Sequence, residues 1–284
     1  MDYSTMAKRK TRQRKRARTR SKIKTKTKTK TKTKIVDPPF ARTISKGTAA
    51  SPGGPREQCC GIDYETDGID YHYQSYENVA VFLESIIRTN PSIQKDIFLF
   101  DDTSDAFLDL DLKSGHMKPL YLSHKKFVQA IKSGLKTHSR FIPIILNLTI
   151  SQGDNHANIL IINKKTKQIE LFEPHGARTS SSELGGIQSA YKKKKTILKK
   201  FFKGILPDYK VTNVVDAVKQ TAFQMTEDPK GHSGFCVTWS ILYAHYRFLN
   251  PNRPLGELVQ YMHHKITARL ILRYAKYIET VAKS

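Results

Sequence analysis

Apolar residues recur at regular helical and strand spacings over the greater part of the chain. Helical periodicity runs from Glu77 to Thr89, and a basic helix is predicted over Tyr191 to Phe202. A buried strand is predicted over Phe141 to Ile150, and another strand over Tyr209 to Val215. The pattern from Leu255 to Ala282 predicts a long helical tail. This mixture predicts an α+β domain with a mixed central sheet flanked by helices.

Two further apolar runs lie on either side of a short polar turn, and together they predict a β-hairpin. If the turn is the two-residue kind centred on Lys165-Thr166, Asn163 pairs with Gln168. Counting back along both strands from that pair sets Asn158 opposite Glu173. The register of the hairpin therefore decides which polar side chains meet at its open end.

His156 opens the first strand of this hairpin and shares a strand face with Asn158, because side chains alternate along a strand. In the register above, His156 and Glu173 are diagonal neighbours at the open end. A slip of one residue would send the two side chains to opposite faces of the sheet. In the predicted register, a carboxylate can hold the imidazole in one orientation.

Cys236 lies where a glycine-broken loop, Gly231 to Gly234, gives way to a predicted helix. Apolar residues recur at helical spacing from Val237 until Asn250-Pro251 stops the pattern, which predicts a helix of about four turns. A thiol at the first turn of a helix feels the partial positive charge of unpaired backbone N–H groups, which favours the nucleophilic thiolate. The alternative interpretation is that Cys236 is a small buried hydrophobic residue, the usual role of a lone intracellular cysteine.

These motifs, in this order, resemble a known class of enzymes. His156, the acidic Glu173 seventeen positions later and then Gly-Phe-Cys ending at Cys236 are similar to the papain-unrelated cysteine proteases. That class includes the adenovirus endopeptidase and the SUMO-specific proteases. The resemblance implies a cysteine-protease fold in which Cys236 is the nucleophile, His156 the base and Glu173 the residue that orients the base.

Two longer segments extend the resemblance, which covers roughly residues 140 to 251. The segment Leu171-Phe172-Glu173-Pro174 resembles the adenoviral segment around the acidic member of the triad. Gly234 to Ser240, together with Arg247 to Pro251, is similar to proteases of this class carried by large DNA viruses.

The resemblance also implies a glutamine side-chain amide that stabilises the oxyanion formed during peptide hydrolysis. Gln224, twelve residues before Cys236, is the residue expected there, and Gln220 is the alternative. The gap between glutamine and cysteine is shorter in the adenoviral and SUMO-protease patterns. We therefore expect Met225 to His232 to form an inserted loop.

The chain departs from the SUMO proteases directly after the histidine. Those enzymes usually carry a tryptophan there, as part of a narrow tunnel that selects glycine, whereas this chain has Ala157. Trp239 does not replace it, because a position one turn into the predicted helix favours core packing.

Other histidines and cysteines are weaker candidates. His175 and His232 flank the motifs, but neither has an acidic residue at a comparable hairpin position. His263-His264 has no cysteine or carboxylate at metal-ligand spacing, so solvated helix residues are expected. Cys59-Cys60 is an adjacent pair, and three cysteines in all imply no disulfide framework. We expect neither a metal nor another cofactor.

The amino terminus is strongly basic, with Lys or Arg at almost every other position from Lys8 to Lys34. Sixteen basic residues and one acidic residue precede Asp37, so this segment supplies +15 of the formal net charge of +24. Alternating lysine and threonine offer no apolar face, which predicts an extended, disordered arm over residues 1–36. Dense positive charge favours binding to nucleic acid. A nuclear import signal and a solubilising tail are the alternatives.

The remaining chain has 33 basic and 24 acidic residues. Residues 37–69 include a stretch rich in Pro, Gly, Ser and Thr and are expected to be a linker, and residues 70–284 suit one compact domain. No apolar run has the length that spans a bilayer, so no membrane partner is expected. The lack of a secretory segment favours a reducing compartment, with the virion and host cytoplasm as expected locations, and the nucleus if the arm is an import signal.

Two hypotheses of different class follow. The first is a thiol endopeptidase, expected to be viral, which cleaves virion precursor proteins while its arm holds nucleic acid. The second is a nucleic-acid-binding core protein whose protease-like domain is inactive. A variant within the enzyme class is a deubiquitinase or SUMO-like deconjugase. A reactive thiolate at neutral pH would distinguish the enzymes from the core protein.

Overall fold

The computed structural model describes residues 34–38, 76–151, 154–174, 185–214, 236–266 and 268–283. The chain divides into two units, Met1–Lys34 and Ile35–Ser284, and the elements below belong to the second. Several residues singled out in the sequence lie outside the described ranges: Lys8 to Thr33 of the arm, Cys59, Cys60, His175, Gln220, Gln224 and His232.

Helices and strands alternate along the described part of the chain. The α-helices are α1 Tyr76–Arg88, α2 Pro91–Gln94, α3 His124–Lys136, α4 Gly185–Lys203, α5 Cys236–Leu249, α6 Leu255–Lys265 and α7 Ala268–Lys283, and a 3-10 helix spans Thr103–Ala106. The strands are β1 Phe107–Asp111, β2 His116–Pro119, β3 Phe141–Ser151, β4 Asp154–Asn163, β5 Gln168–Phe172 and β6 Lys210–Asn213.

The strands form one six-stranded sheet in the order β2-β1-β3-β4-β5-β6. The pairs β1/β3 and β5/β6 are parallel, and the remaining neighbours are antiparallel. The predicted α+β class with a mixed central sheet is therefore confirmed.

Both faces of the sheet are covered by apolar side chains. One hydrophobic cluster joins the sheet to α1, α5, α6 and α7, and a second joins it to α3 and α4. Along β4, Ile159 and Ile161 belong to the first cluster, whereas Leu160 and Ile162 belong to the second. A strand that is buried on both faces has a continuous apolar sequence, which explains the unbroken run in β4.

The predicted hairpin is β4–β5, and its register is confirmed, because Asn163 pairs with Gln168. The two-residue turn is wrong, since four residues, 164–167, connect the strands. The Lys164 N–H donates to the carbonyl of Arg140, the residue before β3, and not to a residue across the turn. The turn is completed by the Asn163 side chain, which accepts from the Thr166 N–H at 3.3 Å, and by a left-handed Lys167 with φ of 52°.

Helix α5 begins at Cys236 and ends at Leu249, before Asn250-Pro251, so the predicted helix is confirmed. Its residues from Val237 to Phe248 are all buried. The helix packs against the sheet, α1 and α7. A helix that is apolar on all sides is stable when it is surrounded by other elements in this way. Cys236 is thus held at the end of a fully packed helix.

The predicted C-terminal helical tail is divided into α6 and α7. Ile266 has extended backbone angles, φ −91° and ψ 120°, and so ends α6. The helical spacing of apolar residues resumes in α7, which packs against α1 and α5. The predicted helical tail is therefore present as two helices, with a break at Ile266 that the apolar pattern did not indicate.

The first residues of the second unit, 35–38, lie beside α5 and α6. The Val36 N–H donates to Asn250 Oδ1 at 2.7 Å, and Asn250 Nδ2 donates to the Val36 carbonyl at 2.8 Å. The Asp37 carboxylate accepts from the hydroxyls of Tyr246 at 3.1 Å and Tyr261 at 2.6 Å. The boundary between the predicted arm and linker is thus anchored to the domain.

Candidate active site

Cys236 is the first residue of α5, and the residue is partly exposed. The backbone N–H of Ala157, on β4, donates to Cys236 Sγ at 3.5 Å. This contact brings the start of the helix against the open end of the hairpin. The thiol therefore lies within reach of the residue before Ala157, which is His156.

His156 lies between an acid and the thiol. Its Nε2 is 2.6 Å from Glu173 Oε1, as the predicted register requires, and it also forms a hydrogen bond with Cys236. Because Nε2 faces the carboxylate, Nδ1 is the ring nitrogen left for the thiol. His156 is 4% exposed, and Glu173 is 1% exposed. The structure thus brings together the three residues that the sequence singled out on separate segments.

The charges of these groups reinforce one another. Burial by itself would lower the pKa of His156, but the Glu173 carboxylate and the Cys236 thiol outweigh burial and raise that pKa to about 9. Burial would likewise raise the pKa of Cys236, but the hydrogen bond and charge of His156, with the backbone N–H groups of Ala157 and Val237, lower it below its ordinary value. Both directions favour a thiolate–imidazolium pair, the nucleophilic state of a cysteine.

The second oxygen of Glu173 has a partner that sequence reasoning missed. Lys194 Nζ, from α4, forms an ion pair with Glu173 Oε2 and lies 3.4 Å from Asn158 Oδ1. Lys194 is only 2% exposed. A signal was present in the sequence, because Lys194 precedes the buried Leu198 and Phe202 by four and eight residues and so shares their helix face. The surrounding run of lysines concealed it.

The arrangement contains the groups that acyl transfer requires of a thiol and its base. A thiolate at a helix N-terminus attacks a carbonyl carbon, and an adjacent imidazolium supplies the proton for the leaving group. Gln224 and Gln220, the two candidates for the oxyanion donor, lie outside the described residues.

Trp239 lies in the core at 2% exposure, so its predicted packing role is confirmed. His263 and His264 lie on α6, half-buried and exposed respectively. Within the parts of the chain that the structure describes, no group of three or more His, Cys, Asp or Glu side chains is placed to hold a metal ion. Among the same residues, no helix combines the length and the apolarity needed to span a membrane.

No protein-family model and no curated protein sequence matches the chain. Several solved structures are similar at low identity. The Chlamydia trachomatis effector protein ChlaDUB1 has a TM-score of 0.41 and 9% identity, with 83% of this chain and 97% of that chain covered. The SUMO protease Ulp1 has a TM-score of 0.39 and 13% identity, with 75% and 81% covered. The ASFV pS273R protease has a TM-score of 0.30 and 13% identity, with 49% and 43% covered.

Proposed function

We propose that this chain is a thiol endopeptidase that uses Cys236, His156 and Glu173. The observation that carries the proposal is the position of His156 between Glu173 Oε1, 2.6 Å away, and the Cys236 thiol at the start of α5. A buried cysteine with only a packing role does not require a histidine that is itself held by a carboxylate. The lowered pKa of Cys236 and the raised pKa of His156 are the directions that a thiol nucleophile and its base need.

The reaction follows from the positions of these groups. Cys236 Sγ adds to the carbonyl carbon of the scissile peptide, which forms a C–S bond and an oxyanion. The oxyanion collapses, the C–N bond breaks, and the imidazolium of His156 gives its proton to the leaving nitrogen. Neutral His156 then removes a proton from water, whose oxygen adds to the thioester. When the C–S bond breaks, the thiolate is restored and the new carboxyl product leaves.

Glu173 and Gln224 have supporting roles in this proposal. Glu173 orients the imidazole and stabilises its protonated form without taking the proton. Gln224 donates its side-chain amide to the oxyanion, a role that rests on the resemblance to the viral and SUMO-specific proteases, with Gln220 as the alternative. A single donor of this kind is worth about 3 to 4 kcal/mol of transition-state stabilisation.

The proposed substrates are virion precursor proteins, and the proposed role of the basic arm is to hold the enzyme on nucleic acid near them. The charge of +15 before Asp37 supports attachment to phosphate groups. Ala157, where SUMO proteases usually carry tryptophan, favours an endopeptidase cleft over a tunnel that selects glycine. The proposed locations are accordingly the virion and the host cytoplasm.

Chemical labelling tests the proposal first. The full chain is treated with limiting iodoacetamide at pH 6, and the modified cysteines are identified by peptide mass mapping. Cys236 is expected to react faster than Cys59 and Cys60, which serve as controls within the same molecule, because its thiolate is populated at lower pH. Equal, slow labelling of all three would contradict the proposal and favour the inactive core protein.

Cleavage assays test the reaction itself. Wild type, Cys236→Ala and His156→Ala are incubated with a glycine-rich precursor protein and, separately, with ubiquitin and SUMO probes. Both variants are expected to lose cleavage almost completely, because nucleophile and base act as a unit. Turnover of the probes but not of the precursor would assign the deconjugase activity instead. Cleavage that survives in purified Cys236→Ala would place the nucleophile elsewhere.

A further inference from the structure

Lys194 is a charged side chain in a place where a packed helix normally carries an apolar one. It lies on the face of α4 that contains Leu198 and Phe202, both of which are buried in the hydrophobic cluster that joins the sheet to α3 and α4. Its neighbour Lys193 is exposed, which is the ordinary position of a lysine on a surface helix. Burial of an ammonium group is costly unless that group is paired and hydrogen-bonded.

The partners of Lys194 connect it to the candidate active site. Its Nζ contacts Glu173 Oε2 and lies 3.4 Å from Asn158 Oδ1, while Glu173 Oε1 is held by His156. Each of the two carboxylate oxygens therefore has its own partner. A carboxylate held at both oxygens cannot rotate away from the imidazole, and a nearby cation also favours its ionised form.

Four charged groups from different parts of the fold alternate in sign. The Cys236 thiolate on α5, the His156 imidazolium on β4, the Glu173 carboxylate directly after β5 and the Lys194 ammonium on α4 form one row. Without Lys194, the row would hold two negative groups and one positive group. A cation at its end balances the charge when the thiol is ionised.

We infer that Lys194 is a positioning residue of the active site, which fixes Glu173 against His156 and thereby sustains the ionised Cys236 thiol. The inference rests on the proposed function for its role in turnover, but its effect on the thiol can be measured without any substrate. In this proposal Lys194 acts through its ion pair with Glu173 and not by contact with the substrate.

The test compares Lys194→Met with Lys193→Met, which removes the same charge from an exposed site one residue away. The rate of Cys236 alkylation by iodoacetamide is measured against pH. Lys194→Met is expected to shift the thiol titration to higher pH. If Glu173 stays ionised in this variant, its negative charge is no longer balanced by Lys194. If Glu173 becomes protonated, the His156 imidazolium loses the carboxylate that stabilises it. Both changes disfavour the Cys236 thiolate. Lys193→Met is expected to titrate like the wild type.

Peptide cleavage provides the second readout. Lys194→Met is expected to lower kcat/KM about 10- to 100-fold, as loss of a group that orients a catalytic residue commonly does. Lys193→Met should retain wild-type kcat/KM. If Lys194→Met matches Lys193→Met in both thiol titration and kcat/KM, the inference is overturned.

A double variant separates positioning from folding. Glu173→Gln and Lys194→Met together remove both charges of the buried ion pair, so the double variant is expected to fold even if Lys194→Met alone does not. If Lys194 acts through Glu173, adding Lys194→Met to Glu173→Gln should cause no further shift in the thiol titration. An additional shift of the same size as in the wild type would mean that Lys194 acts independently of Glu173, which overturns the inference. If no peptide is cleaved by the wild type but the titration still shifts in Lys194→Met, the proposed function fails and the positioning role stands.

Discussion

The thiol of Cys236 and the imidazole of His156 share a hydrogen bond, and their pKa directions decide the pH range in which the pair is useful. The pKa of the thiol lies below its ordinary value, whereas that of His156 rises from 6.5 to about 9. Activity needs the thiolate, which forms as pH rises through the thiol pKa. It also needs the imidazolium, which is lost as pH rises through about 9.

The first prediction follows from the cause of the His156 shift. Glu173→Gln removes the charge that raises the pKa of His156, so the alkaline limb of kcat/KM should move from near 9 toward the ordinary value of 6.5. Partial activity should remain at lower pH, because the amide still holds the ring. The measurement is kcat/KM against pH for wild type and Glu173→Gln. An alkaline limb at the same pH in both would mean that Glu173 does not support the imidazolium.

The second prediction concerns the oxyanion donor. Gln224→Ala should reduce kcat about 100-fold or more if its amide stabilises the oxyanion, since one donor is usually worth that much. Gln220→Ala is the matched control, because it removes the same group four residues earlier. Wild-type turnover in Gln224→Ala together with a loss in Gln220→Ala would assign the role to Gln220.

Residue-level prediction succeeded where a short motif and a register both limited the choice. His156 and Glu173 could be paired because the hairpin is local in sequence, and the Asn163–Gln168 register, which was assumed from a two-residue turn, is also the register of the four-residue turn. Lys194 could not be paired with Glu173 in this way, since α4 reaches the hairpin only through the packing of the whole domain. Pairing across distant segments is determined by tertiary structure, which periodicity does not contain.

At the scale of elements, a buried ion pair fixes α5 against the hairpin. Arg247, in the last turn of α5, binds both oxygens of Glu170 on β5, with Nε 2.8 Å from Oε2 and Nη2 2.9 Å from Oε1. Tyr243 and Asn163 also donate to the Glu170 carboxylate. All lone pairs of a carboxylate can be used in such an arrangement, so the charge is well compensated. The pair sets the position of the helix that carries Cys236.

The third prediction tests this pair. Arg247→Met should lower the free energy of unfolding by about 3 to 5 kcal/mol, because it leaves Glu170 buried without its cation. Asp208→Asn is the control, since Asp208 pairs with Lys167 at 3.7 Å on an exposed surface and should contribute less than about 1 kcal/mol. The measurement is urea unfolding of the three proteins. A loss in Arg247→Met as small as that in Asp208→Asn would show that the pair does not secure α5.

Helices and strands were predicted well where the apolar pattern was long and the contacts were local in sequence. Short strands with distant partners were predicted poorly. α5 and the hairpin follow from their apolar runs, whereas β1 and β2 were not predicted. Each has five residues or fewer, and β1 pairs in parallel with β3, which lies some forty residues further along the chain. The break at Ile266 was also missed, because neither Gly nor Pro marks it.

At the scale of the whole molecule, positive charge is concentrated at one end of the sequence. The sixteen basic residues before Asp37 all lie in residues 1–34. The second unit begins with Val36 and Asp37 bound to Asn250 and the tyrosines of α5 and α6. Asn250 follows the last residue of α5, about 20 Å along that 14-residue helix from Cys236. The anchor of the domain's first residues is therefore separate from the candidate catalytic residues.

The last prediction uses that separation. Deleting residues 1–34 removes every basic residue of the arm but keeps the anchor at Val36 and Asp37, so kcat/KM for a short peptide should not change. Binding to duplex DNA should weaken sharply. If about ten of the arm's cations neutralise phosphates, the logarithm of the binding constant of the full chain should fall with the logarithm of salt concentration at a slope near −9, without sequence preference.

A partial replacement provides the matched control for the deletion. Changing the seven lysines at the alternating positions from Lys22 to Lys34 to glutamine keeps the length of the arm but removes seven of its charges. Its salt slope should lie between those of the full chain and the deletion, because the slope follows the number of neutralised phosphates. Cleavage of a precursor bound to DNA should decrease in the same order, through loss of effective concentration at an intact site. Equal, weakly salt-dependent DNA binding by all three proteins would contradict the nucleic-acid role and favour a solubilising or import role for the arm. Unchanged peptide kinetics would still show that the catalytic residues do not depend on the arm.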